Sequence, residues 1–327
     1  MYIGGTGALG LRTILDGVVT ELLAAPGAQP ERVRCTLGDD GTCCVELRGG
    51  VMPAVEPEAF VADHSEINPS DPLLSLAIAS ALSDPLHAEV VRDGRRWART
   101  FAAGTAAGSL EVSATTAPPL IRIRYRPDPK LFDPNLRAGF LHVCGRTRDL
   151  AAFHPHVRFT IDNESDGQRR DFHYPDGLLS LARELEYKSW DGFFHTAPSI
   201  WRCRLSEGTE AAEAVFVARP GGALIVHSFV NGYRTQADGT QIDGLRAGVA
   251  EVAATFADDE PGNPFWFEPQ RRDPLAELTV LLSVRLDRPQ FRGSIRDVLD
   301  GDRPRDLVRR MVVEQLPGEI KRRHTDG

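Results

Sequence analysis

Several groups of side chains in the sequence are of types that do chemistry. His154-Pro155-His156 sets two imidazoles two residues apart, a spacing that turns both to one face of a strand, where a divalent metal can be held. No cysteine or carboxylate set accompanies them at ligand spacing, so solvent-facing polar residues are the preferred reading. Cys35 with Cys43-Cys44 could bring two sulfurs together across a hairpin for metal or redox use; small residues filling strand positions is the plainer account. Asp39-Asp40-Gly41 reads as turn chemistry, not as a cation site. Trp190, Phe193, Phe194, Trp201, Trp266 and Phe267 could form an aromatic binding surface, with core packing the preferred alternative. A basic tract runs from Arg303, Arg305, Arg309 and Arg310 to Lys321, Arg322 and Arg323. It is broken by Asp302, Asp306, Glu314 and Glu319, the pattern of a solvated amphipathic helix rather than a nucleic-acid arm. No Ser, His and Asp arrangement can be proposed from spacing.

Such side chains need elements to hold them. A chain of 327 residues with 42% hydrophobic content supports two cores at roughly 150 residues per domain. The net charge of -8 excludes a surface that clings to nucleic acid throughout, so DNA binding is expected to be weak or absent. The apolar runs at 77–82 and 278–284 fall short of the ~18 residues a membrane span needs. No membrane contact and a cytoplasmic location are therefore expected. Five cysteines without a C-x-x-C pair fit a reducing compartment.

Leu11, Ile14, Leu15, Val18, Val19, Leu22 and Leu23 recur with a helical period and predict a helix over 11–25, stopped by Pro26-Gly27. Strands at 33–37 and 43–47 flank Gly38-Asp39-Asp40-Gly41, a hairpin. The proline-rich stretch 53–72 predicts a loop with a short helix at 58–62. A helix at 73–82 precedes alternating strands at 87–92, 95–102, 109–115 and 120–125, hence helices on a mostly antiparallel sheet. Further on come a helix at 135–152, a strand at 157–162, a helix at 178–185 and strands at 201–205, 213–218 and 224–230. A helix at 242–256 and a strand at 278–286 then suggest a split β-α-β unit.

Met1-Tyr2-Ile3-Gly4 followed by Gly10-Leu11, Ala81-Leu82-Ser83, Arg92-Asp93-Gly94, Phe172-His173-Tyr174-Pro175-Asp176-Gly177, Asp238-Gly239-Thr240 before Gly244-Leu245-Arg246, and Pro289-Gln290-Phe291 occur in an order that resembles gyrase B and its topoisomerase IV counterpart over nearly the whole chain. The resemblance implies an α+β fold: a GHKL (Bergerat-type) α/β sandwich over 1–126, then a ribosomal-S5-like transducer domain over 127–327. The family's N-terminal strapping arm and its DNA-cleaving metal domain are expected to be absent.

The resemblance also implies where nucleotide chemistry would sit. The family's first helix carries Glu-Val-Val-Asp-Asn, whose Glu polarises water and whose Asn ligates Mg²⁺. Here those positions read Gly17-Val18-Val19-Thr20-Glu21, so the base is missing and Glu21 replaces Asn. Asp16 is a candidate relocated base, displaced by about 100° around the helix from Gly17. The adenine-binding Asp-x-Gly-x-Gly aligns with Leu47, Arg48, Gly49, Gly50 and Val51, followed by Met52-Pro53. Leu47 cannot accept the amino-group hydrogen bond, and Glu46 would face the wrong side of the strand. The glycine-rich phosphate lid is replaced by Asp71-Pro72-Leu73-Leu74. The transducer Gln and Lys that reach the γ-phosphate align with Thr235 and Gln236. Ala98 takes the place of an inhibitor-contacting arginine, with Arg99 next to it.

These positions predict a vestigial pocket with no catalytic residue, metal site or cofactor. The expected protein is a non-catalytic gyrase-B-like module that binds a protein partner such as gyrase, or a small molecule in the remodelled pocket. The alternative is an ATPase fragment of a type II topoisomerase using ATP and Mg²⁺.

Overall fold

The computed structural model describes residues 5–63, 73–189, 199–218, 224–235, 238–256, 278–292 and 298–325. The chain forms two compact units, Met1–Pro175 and Asp176–Gly327.

In the first unit, helices α1 (Ala8–Ala24), α2 (Pro57–Phe60), α3 (Leu74–Ala81) and α4 (Phe140–Phe153) accompany one sheet. Its strands are β1 (Arg32–Leu37), β2 (Cys43–Arg48), β3 (Ser83–Arg92), β4 (Arg95–Ala102), β5 (Thr105–Ala106), β6 (Glu111–Ala114), β7 (Leu120–Pro127), β8 (Arg158–Asn163) and β9 (Arg169–Phe172). They lie in the order β5-β4-β3-β7-β2-β1-β8-β9, with β6 also paired to β4. Alternation decides the faces. Val33, Cys35, Val45, Leu47, Ile121, Ile123 and Tyr125 are buried, while Arg32, Arg34, Arg48 and Arg124 between them are exposed. The apolar stripe of α1, including Ile14, Val18 and Leu22, is buried as its period requires.

The expected boundary at 126/127 is corrected. β8 pairs in parallel with β1 from Arg32↔Arg158 to Leu37↔Asn163, and β9 pairs with β8. These strands, with α4, therefore complete the first sheet, and the division falls after Pro175. Local periodicity reveals a strand but not the sheet it joins. The helix expected from residue 135 starts at Phe140, because Asp133 first caps the backbone N–H of Asn135 in a turn.

The second unit contains α5 (Leu178–Ser189), β10 (Ile200–Glu207), β11 (Glu210–Ala218), β12 (Ile225–Val230), β13 (Tyr233–Thr235), α6 (Thr240–Phe256), β14 (Leu278–Arg285), β15 (Gln290–Arg292), β16 (Val298–Asp300) and α7 (Asp302–Thr325). Its main sheet runs β10-β11-β14-β12-β13. β12 and β14 are direct parallel neighbours, so the crossover through α6 is a plain β-α-β unit and not the split one expected. The basic C-terminal tract forms α7 but is not merely solvated. Leu307, Met311, Val312, Leu316 and Ile320 are buried with Leu245 and Val249 of α6 and with Trp201 of β10. Arg303 pairs with Glu207 (2.9 Å) and Glu210 (2.6 Å), and Arg309 with Glu251 (2.6 Å).

Candidate functional site

The site begins at the N-terminus of α3. A helix start leaves backbone N–H groups without partners, which a Ser, Thr, Asp or Asn at the cap position ordinarily satisfies. Here the cap residue is Leu73, whose side chain can do neither, and no side-chain cap bond comes from it. Glu21 of α1 supplies the missing acceptor. One carboxylate oxygen accepts the N–H of Ser75 (2.6 Å) and the other that of Leu76 (3.0 Å). An anion at a helix N-terminus is favoured by the helix dipole, and in this molecule that anion is the chain's own side chain. Gly17, Val18 and Val19 on the same helix are buried and bring no polar side chain.

Asp16 points elsewhere. Its carboxylate lies 4.0 Å from Arg146 of α4, and Arg146 also donates to the hydroxyl of Thr20, one turn on (3.4 Å). Asp16 thus belongs to the α1–α4 contact, whereas Glu21 serves α3, and the candidate relocated base does not join the other positions. Burial raises its pKa from 3.8 to about 6, against the opposing pull of Arg146 and Arg12. Ionising it therefore costs stability, which falls as pH climbs from about 4 to about 6. With the side chain 33% exposed, solvent screening reduces the effect to about 1 kcal/mol. Asp16→Asn is expected to gain that amount in urea unfolding at pH 7 and nothing at pH 3.5; an equal gain at both values would remove ionisation as the cause.

Leu47 is fully buried in β2 and offers no acceptor. Glu46 turns to the opposite face, where Arg122 and Arg48 donate to it at 2.5 and 3.0 Å; burial works to raise its pKa, but these arginines leave it lowered. Gly49 and Gly50 have φ of +68° and +63°. A Cβ on Gly50 would stand 2.2 Å from the carbonyl oxygen of Gln29, so the turn that bridges Gln29 to Val51 itself requires glycine. Met52 is half-buried, and Val51 is exposed. The following segment is strapped down by arginines: Arg92 donates to the carbonyls of Pro53 and Val55, and Arg99 to that of Val61 (3.1 Å). Arg99 pairs opposite buried Ala88, while Ala98 stands opposite Glu89 on the other face. Arg99, not Ala98, is therefore the residue on the helix side of the sheet.

Thr235 is buried in the second unit, where its hydroxyl meets the Ser228 carbonyl (3.3 Å) and the Gln241 amide (3.4 Å). Gln236, Asp71, Pro72, Trp190, Phe193, Phe194, Trp266 and Phe267 lie outside the described residues. Trp201 is buried in the second core. His154 caps the end of α4 beside Phe159, with ring centroids 6.4 Å apart; burial lowers its pKa to about 4. It is a neutral, partly covered ring rather than the exposed polar residue expected, and only His156 of the pair is exposed. Burial pushes the thiols of Cys43 and Cys44 up to about 12 and 11 and that of Cys35 higher still, which makes them poor nucleophiles. Among the described residues no group of three or more His, Cys, Asp or Glu side chains is placed to hold a metal. No helix among them is long and apolar enough to cross a membrane.

Residues 203–326 match the family model for DNA gyrase B. DNA gyrase B of Treponema pallidum is 25% identical over 97% of this chain and 53% of its own length. That of Halalkalibacterium halodurans is 26% identical over 73% of the chain and 37% of its own. The chain thus spans about half the length, or less, of these curated relatives. Among solved structures, the 43K ATPase domain of Thermus thermophilus gyrase B in complex with an aminocoumarin aligns with a TM-score of 0.77 at 24% identity, covering 99% of this chain and 88% of that one. The DNA gyrase B structure from Myxococcus xanthus gives 0.75 at 20%, covering 98% and 92%. The shared fold is α+β, with mixed sheets and helices.

Proposed function

We propose that this chain, which carries a gyrase B/topoisomerase IV B family region, is a partner-binding module that does not hydrolyse ATP. The observation that carries the reading is the seat of Glu21. A helix N-terminus is a natural seat for phosphate, but two of the N–H groups at the start of α3 are already bonded to a carboxylate. A phosphate brought there would lose those donors and meet a like charge. Two further positions support the reading. A missing general base at Gly17 typically costs ~10²- to 10⁴-fold in rate. Leu47 would leave a buried adenine amino group without an acceptor, a penalty of about 1–3 kcal/mol. Mg-ATP does not fit this residue set.

What remains is a folded module whose relatives bear the name of gyrase B. Its partner on this reading is another protein, with a component of gyrase the first to try. The test is calorimetric titration of the whole chain with Mg²⁺ and a non-hydrolysable ATP analogue. No heat and no thermal shift are expected, and no phosphate release from ATP above background. One-to-one binding, with turnover that follows the chain through purification, would instead make it a working ATPase fragment. An aminocoumarin is likewise expected to give no heat, because Ala98, which stands in the place of the family's inhibitor-contacting arginine, brings no donor and pairs opposite Glu89 on the other face of the sheet.

A further inference from the structure

The face of the first sheet turned away from Leu47 and the other buried strand residues is rich in arginine, although the chain carries a net charge of -8. Ion pairs run across it from strand to strand. Arg34 holds Asp162 (2.6 Å), Arg122 holds both Glu46 (2.5 Å) and Glu89 (2.7 Å), and Arg96 holds Glu89 (2.7 Å) and Glu111 (3.2 Å). These carboxylates are all answered.

Four more arginines of that face are not. Arg32 and Arg158 are register partners on the adjacent parallel strands β1 and β8. Arg124 and Arg126 are alternate residues of β7, with Arg124 opposite Cys44 and His87. All four are exposed, and among the described residues none has a carboxylate within ion-pair distance. Asp40 lies near enough to feel Arg124 and Arg126, but its carboxylate already accepts from Thr42. Arg32 also stands directly opposite Arg48, whose own charge is answered by Glu46 (3.0 Å), so that no carboxylate is left over for Arg32.

We propose that this arginine face docks an acidic segment of a partner protein. At ~4.8 Å between strands and ~3.3 Å per residue, two strands and four residues separate Arg32 from Arg124, or roughly 16 Å. About five residues of extended chain cover that distance, so one acidic stretch reaches both arginine pairs. Guanidinium forks take carboxylates with two parallel hydrogen bonds. Nucleic acid fits less well. No Phe, Tyr or Trp side chain stands on this face among the described residues to stack a base, and Glu111, Asp162 and Asp171, interspersed among the arginines, oppose a continuous rail of phosphates. The surface lies across the sheet from the buried side chains that α1 and α3 pack against, so it stands whether or not nucleotide binds at Glu21.

The test is fluorescence anisotropy of a labelled poly-glutamate peptide of about ten residues, titrated with the full chain at low salt. Binding is expected, weakening as salt is added. Replacing Arg32, Arg158, Arg124 and Arg126 together by serine should loosen it about tenfold, the sum of several exposed pairs. Arg288→Ser, at an exposed arginine of the second unit, should leave it unchanged. Melting curves report whether the fourfold variant folds, and the 32/158 and 124/126 pairs made separately should each give part of the loss. No binding, or binding indifferent to these arginines, would overturn the proposal. So would tighter binding of a duplex of about 20 base pairs through the same four residues, which would make the face a nucleic-acid surface.

Discussion

Gly244→Ala is expected to lower the unfolding free energy by about 2–3 kcal/mol, a large change for one added methyl group. In an exposed helix the same substitution gains up to about 1 kcal/mol, since alanine restricts the unfolded chain and favours helix. In α6 that gain is outweighed. A Cβ at position 244 would stand 2.3 Å from the carbonyl oxygen of Arg305 and 3.0 Å from its Cα. Those atoms are α7 backbone and cannot rotate away as the tip of a side chain would. The helices must separate, and Leu245, Val249, Leu307, Met311 and Val312 lose contact together, an overpacking cost of typically 1–3 kcal/mol or more. Gly248→Ala meets Cβ of Val312 at 2.8 Å and should act in the same direction. Urea unfolding of the variants measures both. A Gly244→Ala protein as stable as the parent, or more so, would mean that α6 and α7 do not meet at these glycines.

The sequence reveals some of these features and hides others for identifiable reasons. The helix at 11–25 and the hairpin at 33–47 are visible because apolar period and turn residues are local signals, and the structure has α1 at Ala8–Ala24 and β1–β2 at Arg32–Arg48. The outward turn of Glu46 follows from strand alternation and is found, with Arg122 as its partner. β8 is predicted as a strand, but its parallel partner β1 lies far away in the chain, and no local pattern encodes that pairing. The C-terminal arginines draw attention by charge, while the buried stripe of Leu307, Met311, Val312 and Leu316 at the same helical period is what fixes α7. In the candidate site, the residue types at positions 17, 21 and 47 are read directly from the sequence. Where the Glu21 carboxylate goes is not, because it depends on how α1 packs against α3 and on Leu73 being unable to cap. A leucine immediately before the first helical residue is the signal that could have prompted a search for a distant acceptor.

That arrangement sets the second expectation. Glu21→Ala should cost about 2 kcal/mol, because it removes a charged acceptor from two backbone N–H groups at once. Bonds to charged groups contribute about 1.5–3 kcal/mol and lost helix caps about 0.5–2. Glu21→Gln keeps one oxygen acceptor and should lose about half as much. The cost should appear as a lower urea midpoint with little change in slope, since the folded surface is otherwise the same. Freeing the α3 N-terminus should not create an ATPase, because position 17 still has no carboxylate and position 47 still has no acceptor. A Glu21→Ala protein that melts with the parent would show that the carboxylate does not cap α3 in solution, and the argument for a self-filled anion seat would fall with it. If that variant instead gained tight nucleotide binding while losing stability, Glu21 alone would be what keeps the nucleotide out, and the losses at Gly17 and Leu47 would bear on turnover rather than on affinity.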